Sequence, residues 1–210
     1  MIRVLIADDH AILRRGLKEI LVRELEDIVC GEAEDAQEAL ARAQSDVWDL
    51  LILDISMPGR SGLDLLSDLK ALRPELPVLV LSMHSEAQYG KRILRAGASG
   101  FMNKASAPEE LIGAVQKVLA GRRYVSPLLA ERLALHLNDE VPRDVQETLS
   151  HREFEVLRMI ALGKTTGQIA EELHLSVSTV STYRARILEK MEMTTTAELL
   201  QYALRNHIVD

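Results

Sequence analysis

The sequence is short of the residues that build disulfide scaffolds, nucleic-acid coats and membrane spans. One cysteine, Cys30, stands among 210 residues, so no internal disulfide can form and a reducing compartment suits the chain. Its apolar setting, Ile28-Val29-Cys30-Gly31, predicts a buried structural thiol. Aromatic residues make up only 3% of the chain, which favours aliphatic packing and many helices. Positive charge is in deficit, with 25 Lys and Arg against 32 Asp and Glu for a net charge of -7. A protein that coats nucleic acid or an anionic membrane indiscriminately needs the opposite balance, because its affinity comes from counterion release. Any DNA contact must therefore be local. The apolar opening, Met1 to Ala7, runs at once into two aspartates, far short of a signal peptide or of the roughly 20 residues of a membrane span. A cytoplasmic protein without membrane contact is expected.

What is present is a chain long enough for two domains. From residue 2 to about 120, short β-branched runs (Arg3 to Ala7, Ile28 to Ala33, Leu50 to Asp54, Val78 to Ser82, Gly100 to Asn103) alternate with stretches of helical spacing. Such βα repetition predicts an α/β fold, a five-stranded parallel sheet with helices on both faces. Helix starts are legible at Asp35, at Ser61, and at a Ser106/Glu109 capping box. Ser126-Pro127 opens one further helix, Leu128 to Leu137, and the polar stretch Asn138 to Asp144 reads as a linker. Beyond it every pattern is helical. Capping boxes at Ser150/Glu153, Thr165/Gln168 and Thr195/Glu198, with Ser176 as a further cap, predict a small all-α domain of four helices. The expected division is 1–121, 122–147 and 148–210.

In a parallel α/β sheet, ligands bind where the carboxyl ends of strands lead into loops. The first strand ends in Asp8-Asp9, the third in Asp54, the fourth in Ser82, and the fifth leads to Lys104. Carboxylates gathered so closely repel, and a hard divalent cation such as Mg²⁺ relieves them. With a cation bound, Asp54 can act as a nucleophile toward a phosphoryl group, Lys104 can pair with the phosphoryl oxygens and the Ser82 hydroxyl can donate to them. His10 and His84, lone histidines beside helix starts, are left out of this site.

Asp8-Asp9, Asp54 followed by Met57-Pro58-Gly59, then Ser82 and Lys104, resemble the receiver domain of two-component response regulators over residues 1 to about 121. The resemblance implies Mg²⁺ held by Asp9, Asp54 and the Ser56 carbonyl, with Asp8 assisting through water. It also implies phosphorylation of Asp54 by a sensor histidine kinase. Ser82 and Phe101 would form the switch pair, the ring turning inward when Ser82 moves toward the phosphoryl group. Having no hydroxyl, Phe101 can signal only by packing. The protein would be a phosphoryl acceptor capable of self-dephosphorylation and not a turnover enzyme. Phosphatases resembling haloacid dehalogenases need a second acid two residues after the nucleophile, where Ser56 stands. A third reading, a receiver that serves only for dimerisation, predicts DNA binding that survives Asp54→Asn.

Thr165 to Val180 outlines a helix, a tight turn at His174-Leu175-Ser176 and a second helix, which is a helix-turn-helix. Leu149-Ser150-His151-Arg152-Glu153, Ile169-Ala170, Leu175-Ser176, Thr179-Val180 and Ile187 resemble the LuxR-type DNA-binding domain over residues 148 to 210. The whole chain thus resembles a NarL/FixJ-family response regulator. Helical spacing along Val177 to Met191 sets Val177, Val180, Ile187 and Met191 on a core face. Ser178, Ser181, Thr182, Ala185 and Arg186 look outward, and these with Thr179, Arg184 and Lys190 are the candidate DNA contacts. Small hydroxylated residues can approach base edges closely, while the basic ones reach phosphate. From residue 148 onward seven Lys and Arg face eight Asp and Glu, so specific binding must lean on dimerisation and two half-sites. An apolar stripe of Leu199, Leu200, Ala203 and Leu204 on the last helix suits core packing, and by resemblance it is the dimer contact on DNA. The implied partners are the kinase, double-stranded promoter DNA, a second copy of the chain when active, and RNA polymerase.

Overall fold

The computed structural model describes residues 1–57, 62–83, 86–106, 108–135, 148–206 and 208–209. The readings placed on Pro58, Gly59, Ser61, His84 and the 138–144 stretch fall outside these residues. The chain forms two compact units, Met1–Asp139 and Glu140–Asp210.

The first unit alternates β1 (Ile2–Ala7), α1 (Ala11–Glu24), β2 (Ile28–Ala33), α2 (Ala36–Ser45), β3 (Leu50–Asp54), α3 (Gly62–Leu72), β4 (Val78–Ser82), α4 (Glu86–Arg95), β5 (Gly100–Asn103) and α5 (Pro108–Leu119). All strand pairs are parallel, in the order β2-β1-β3-β4-β5. β3 and β4 are buried at every position, as continuous Leu/Ile/Val runs demand when helices cover both faces. Side-chain alternation divides the core. Val4, Ile6, Leu50, Ile52, Leu79, Leu81 and Met102 pack with Leu17 and Leu21 of α1 and Leu111, Ala114, Val115 and Val118 of α5. The opposite parity, Leu5, Leu51, Leu53, Val80 and Phe101, is buried as completely on the face left to α2, α3 and α4. Cys30 is only half-buried; burial pushes its thiol above the ordinary range, with Lys18 opposing, which leaves it protonated and inert.

Asp35 caps α2 by accepting from the Glu38 N–H at 2.8 Å. α5 begins at Pro108, whose missing N–H costs nothing at the first turn of a helix, with Glu109 and Glu110 as acids in that turn. Gly62 lets α3 start directly against the turn after β3, since a Cβ there would stand 2.3 Å from the Ile55 Cα.

The segment after α5 rejoins the sheet. Tyr124 bridges Gly100 in parallel, its N–H donating to the Ser99 carbonyl at 2.9 Å, and its hydroxyl donates to Glu110 at 2.6 Å. Next comes α6 (Pro127–Leu135), capped by Ser126, whose Oγ accepts from the Leu129 N–H at 3.1 Å and donates to the Glu86 carboxylate. Leu129, 2% exposed, fills the notch left by Gly90 on α4, where an added Cβ would stand 2.6 Å from its Cδ2. Gly90→Ala is expected to be near neutral. The intrusion is against a side-chain tip that can rotate, and a helical Gly gives back about 1 kcal/mol when replaced by Ala. Gly90→Val should cost about 1–3 kcal/mol by overpacking and should open α6 to limited proteolysis.

The second unit contains α7 (His151–Ala161), α8 (Thr166–Glu172), α9 (Val177–Lys190) and α10 (Thr196–Arg205). Capping boxes form at Ser150/Glu153, Thr165/Gln168 and Thr195/Glu198, and Ser176 accepts from Thr179. The turn between α8 and α9 places His174 at φ 53°, a left-handed position that closes α8 as glycine does elsewhere.

Candidate functional site

Strand register assembles the acid cluster. β1 and β3 pair Ile6 with Ile52 and Ala7 with Leu53, so one further step sets Asp8 beside Asp54 at the carboxyl edge. β4 and β5 pair Ser82 with Asn103, and the Lys104 N–H donates to the Ser82 carbonyl at 2.9 Å. The fold therefore brings Asp8, Asp9, Asp54, Ser82 and Lys104 to one edge.

Asp8 and Asp54 are each 1% exposed, and the Lys104 ammonium stands 2.6 Å from one carboxylate oxygen of each. The other Asp54 oxygen accepts from the Ser56 N–H at 2.8 Å. Burial pushes the Asp54 carboxyl above its ordinary range; Lys104 and the Ser56 N–H oppose this, and the Asp8 charge adds to it. Burial pulls the Lys104 ammonium down, but its two carboxylate partners outweigh that and hold it above its ordinary value. One ammonium thus faces two buried carboxylates, with Asp9 a third acid beside them. An oxygen-rich, negatively charged pocket of this kind fits a hard divalent cation.

Sequence reasoning missed two contributors. Arg14, one turn into α1, donates to the Asp8 carbonyl at 2.6 Å and so fixes the backbone from which the acids project. His10 caps α1 without a side-chain cap bond; its ring nitrogen Nδ1 lies 3.2 Å from Asp8 Oδ1 and 3.0 Å from Asp9 Oδ1. His10, left out of the expected site, thus stands with its ring beside both acids. A helix-start histidine directly after two acids has its ring folded back over them.

The Phe101 ring is wholly buried, the inward position expected of a switched ring. Without a hydroxyl to solvate, an aromatic side chain gains most by staying inside.

On α9, Val180, Ile187 and Met191 are buried, but Val177 is 53% exposed. It is the first helical residue and lies at the margin of the apolar arc, so it belongs to the outer surface. Ser178, Ser181, Thr182, Arg184, Ala185 and Arg186 are exposed and Thr179 is half-exposed. Several hydroxyls are engaged locally: Ser181 and Thr182 donate to the Val177 and Ser178 carbonyls at 2.9 and 3.0 Å, and Ser178 and Thr179 each lie 2.7 Å from Ser176 Oγ. Their lone pairs remain as acceptors. Lys190 is diverted, since its ammonium sits 2.7 Å from the buried Glu153. The other positive charges of α9, Arg184 and Arg186, are exposed.

Burial pushes the Glu153 carboxyl up, but Lys190 and the Ser150 N–H outweigh it, and the group ends below its ordinary value of 4.5. A depressed carboxyl stabilises the fold fully above 4.5 and loses that contribution as pH falls through its folded value. Lys190→Met should cost about 1–3 kcal/mol at neutral pH and shrink or reverse the acid-side loss. Amide exchange of α7 and α9 measured from pH 7 down to pH 4 checks this.

On α10 the apolar stripe divides. Leu199 and Ala203 are fully buried, while Leu204 is 61% exposed.

A family model described as response regulator receiver domain matches residues 4–116, and one described as bacterial regulatory proteins, luxR family, matches residues 147–203. The chain belongs to the NarL/FixJ family of response regulators. It is 36% identical to the response regulator GacA of Pseudomonas aeruginosa, covering 100% of this chain and 99% of that protein. With UvrY of Escherichia coli K12 it shares 33% identity over 98% of this chain and 95% of that one. Among solved structures, RcsB of Salmonella enterica serovar Typhimurium bound to promoter rprA with the phosphomimetic BeF3- matches at a TM-score of 0.63 and 29% identity, over 96% of this chain and 98% of that chain. An RcsB-DNA complex matches at 0.59 and 28%, over 97% and 98%. This response regulator is accordingly a phosphorylation-dependent, DNA-binding transcription regulator, built from a receiver fold and a helical luxR-type domain.

Proposed function

We propose that Asp54 is the phosphoacceptor of this regulator and that α9 reads promoter DNA. The observation that carries the reading is the pair of buried carboxylates, Asp8 and Asp54, sharing one ammonium 2.6 Å from each. Such a pocket is one positive charge short of balance, and both the cation and the phosphoryl chemistry of the family would use that shortfall. Asp9, Asp54 and the Ser56 carbonyl would hold Mg²⁺, with Asp8 assisting through water. The cation supplies charge neutralisation for the phosphoryl oxygens.

The chain's own residues do the rest. An Asp54 oxygen attacks phosphorus in line as the bond from phosphorus to the nitrogen of a kinase phosphohistidine breaks, and the histidine keeps the electron pair. Lys104, already at Asp54, transfers its attention to the new phosphoryl oxygens, and the Ser82 hydroxyl donates to another. Ser82 and Phe101 act as the switch pair, the ring taking the buried place it holds here as Ser82 moves toward the phosphoryl group. Tyr124 and α6, joined to β5 and α4, lie next in line. The change shifts an existing equilibrium toward a homodimer that binds two half-sites on promoter DNA. Residues 1–121 would be the receiver, 122–147 the connection and 148–210 the DNA-binding domain, with RNA polymerase a further partner. No described helix is long and apolar enough to cross a membrane, and a cytoplasmic site of action follows from binding DNA.

Incubation with a small phosphodonor and Mg²⁺, followed by mass spectrometry and footprinting on genomic DNA, tests the reading. A gain of one phosphoryl group, mapped to Asp54 and accompanied by tighter footprints, is expected. Modification elsewhere, or equal footprints before and after, would overturn it.

A further inference from the structure

We infer that the Ser181 and Thr182 hydroxyls of α9 meet DNA as hydrogen-bond acceptors, and that they select adenine or cytosine over guanine or thymine on the strand they face. The inference rests on the reading of α9 above and names the base edges that the helix takes.

Both side chains are exposed in the second turn of α9, and each carries a single hydroxyl hydrogen. In both that hydrogen is committed. Ser181 Oγ lies 2.9 Å from the Val177 carbonyl and Thr182 Oγ1 lies 3.0 Å from the Ser178 carbonyl. A carbonyl oxygen can only accept, so the hydroxyl is the donor in each pair and turns its lone pairs outward. The hydroxyls one turn earlier differ. Ser178 and Thr179 each lie 2.7 Å from Ser176 Oγ, where either oxygen can donate, so their bonds can run in both directions.

In the major groove adenine presents its N6 amino group and cytosine its N4 amino group as donors, whereas the polar groups of guanine and thymine there are all acceptors. An acceptor on the helix therefore pairs with either amino base and is repelled by either keto base. To serve guanine or thymine, the hydroxyl must first give up its bond to the helix carbonyl. The outcome is a partial code, in which adenine and cytosine count as alike and guanine and thymine are disfavoured.

The test selects bound duplexes from a randomised pool, using the full chain with a phosphodonor and Mg²⁺. Wild type, Ser181→Ala and Thr182→Val are selected in parallel, and the positions whose preference changes in a variant are those its hydroxyl reads. Valine keeps the shape and methyl of Thr182 and removes only the hydroxyl. At those positions the wild type should accept adenine and cytosine within about twofold and bind guanine or thymine about two- to tenfold more weakly, the worth of one hydrogen bond. Replacing the adenine by purine, or the cytosine by 2-pyrimidinone, removes the amino group alone; the wild type should lose the same factor and the variant nothing. Thr182→Ser, which retains the hydroxyl, should retain the preference. A guanine or thymine preference at those positions, or indifference of the wild type to loss of the amino group, would overturn the assignment and leave α9 as the reading helix. Selected sequences unchanged in both variants would also overturn it, and were they unchanged in Arg184→Ala and Arg186→Ala as well, the reading of α9 would fall with it.

Discussion

Lys104→Met should lower the stability of the metal-free protein by about 3–5 kcal/mol, the usual cost of stripping one partner from a buried charge cluster. The ammonium is 6% exposed and is the cation placed 2.6 Å from both Asp8 and Asp54. Methionine fills much the same volume, so the loss is electrostatic rather than a cavity. Two buried carboxylates would then face each other with Asp9 and His10 alongside. Proton uptake is one escape and a divalent cation is the other. Mg²⁺ should therefore bind the variant more tightly than the wild type, since it no longer competes with the ammonium. By mass action a ligand at a hundred times its dissociation constant returns about 2.7 kcal/mol, enough to recover most of the deficit. Urea unfolding with chelator and with millimolar Mg²⁺ separates the contributions. An equal deficit in both conditions would mean that Lys104 acts through packing and that the acids do not form a cation pocket. Phosphoryl uptake by the variant should be slow in either case, because no ammonium is left to meet the phosphoryl oxygens.

The sheet was legible because its signals are redundant. Each strand is a short apolar run that stops at a polar residue, and parallel register then forces those stops onto one edge. Asp8, Asp54, Ser82 and Lys104 could be grouped before any coordinates existed. Helix caps were legible for a similar reason: a Ser or Thr with Glu or Gln three residues on is a local hydrogen-bonding unit, formed three times in the helical domain. What escaped depends on directions that a one-dimensional pattern does not carry. His10 was set aside as a lone histidine, because ring orientation follows from the φ and ψ at its cap position. Lys190 was assigned to phosphate because a long side chain reaches many partners, and the buried Glu153 claims it from 37 residues away. Val177 sits where a helical wheel changes sign, so its face is decided by the turn before it. The bridge of Tyr124 to Gly100 left no mark at all, since a single paired residue has no periodicity.

Asp54→Asn should abolish phosphoryl uptake and, in chelator, should raise the melting temperature. The two effects share a cause. Burial holds the Asp54 carboxyl above its ordinary 3.8, against the opposition of Lys104. A carboxyl raised in the folded state favours folding most below 3.8, and that contribution is lost as pH rises through its folded value. At neutral pH the metal-free wild type therefore carries the cost of an ionised, desolvated Asp54. Asparagine keeps the shape and can still accept from the Ser56 N–H, but it brings no charge, and Lys104 then faces Asp8 alone in a balanced pair. The variant should melt higher than the wild type in chelator at pH 7, and the gap should close as pH approaches 4. Adding Mg²⁺ should reverse the order, because the ion recovers stability only where a carboxylate receives it. DNA affinity of the variant should stay at the level of the untreated wild type whether or not phosphodonor is present. A variant that still tightens on DNA with phosphodonor would place the acceptor elsewhere. One that binds as well as the phosphorylated wild type without any donor would show the receiver acting as a dimerisation module alone.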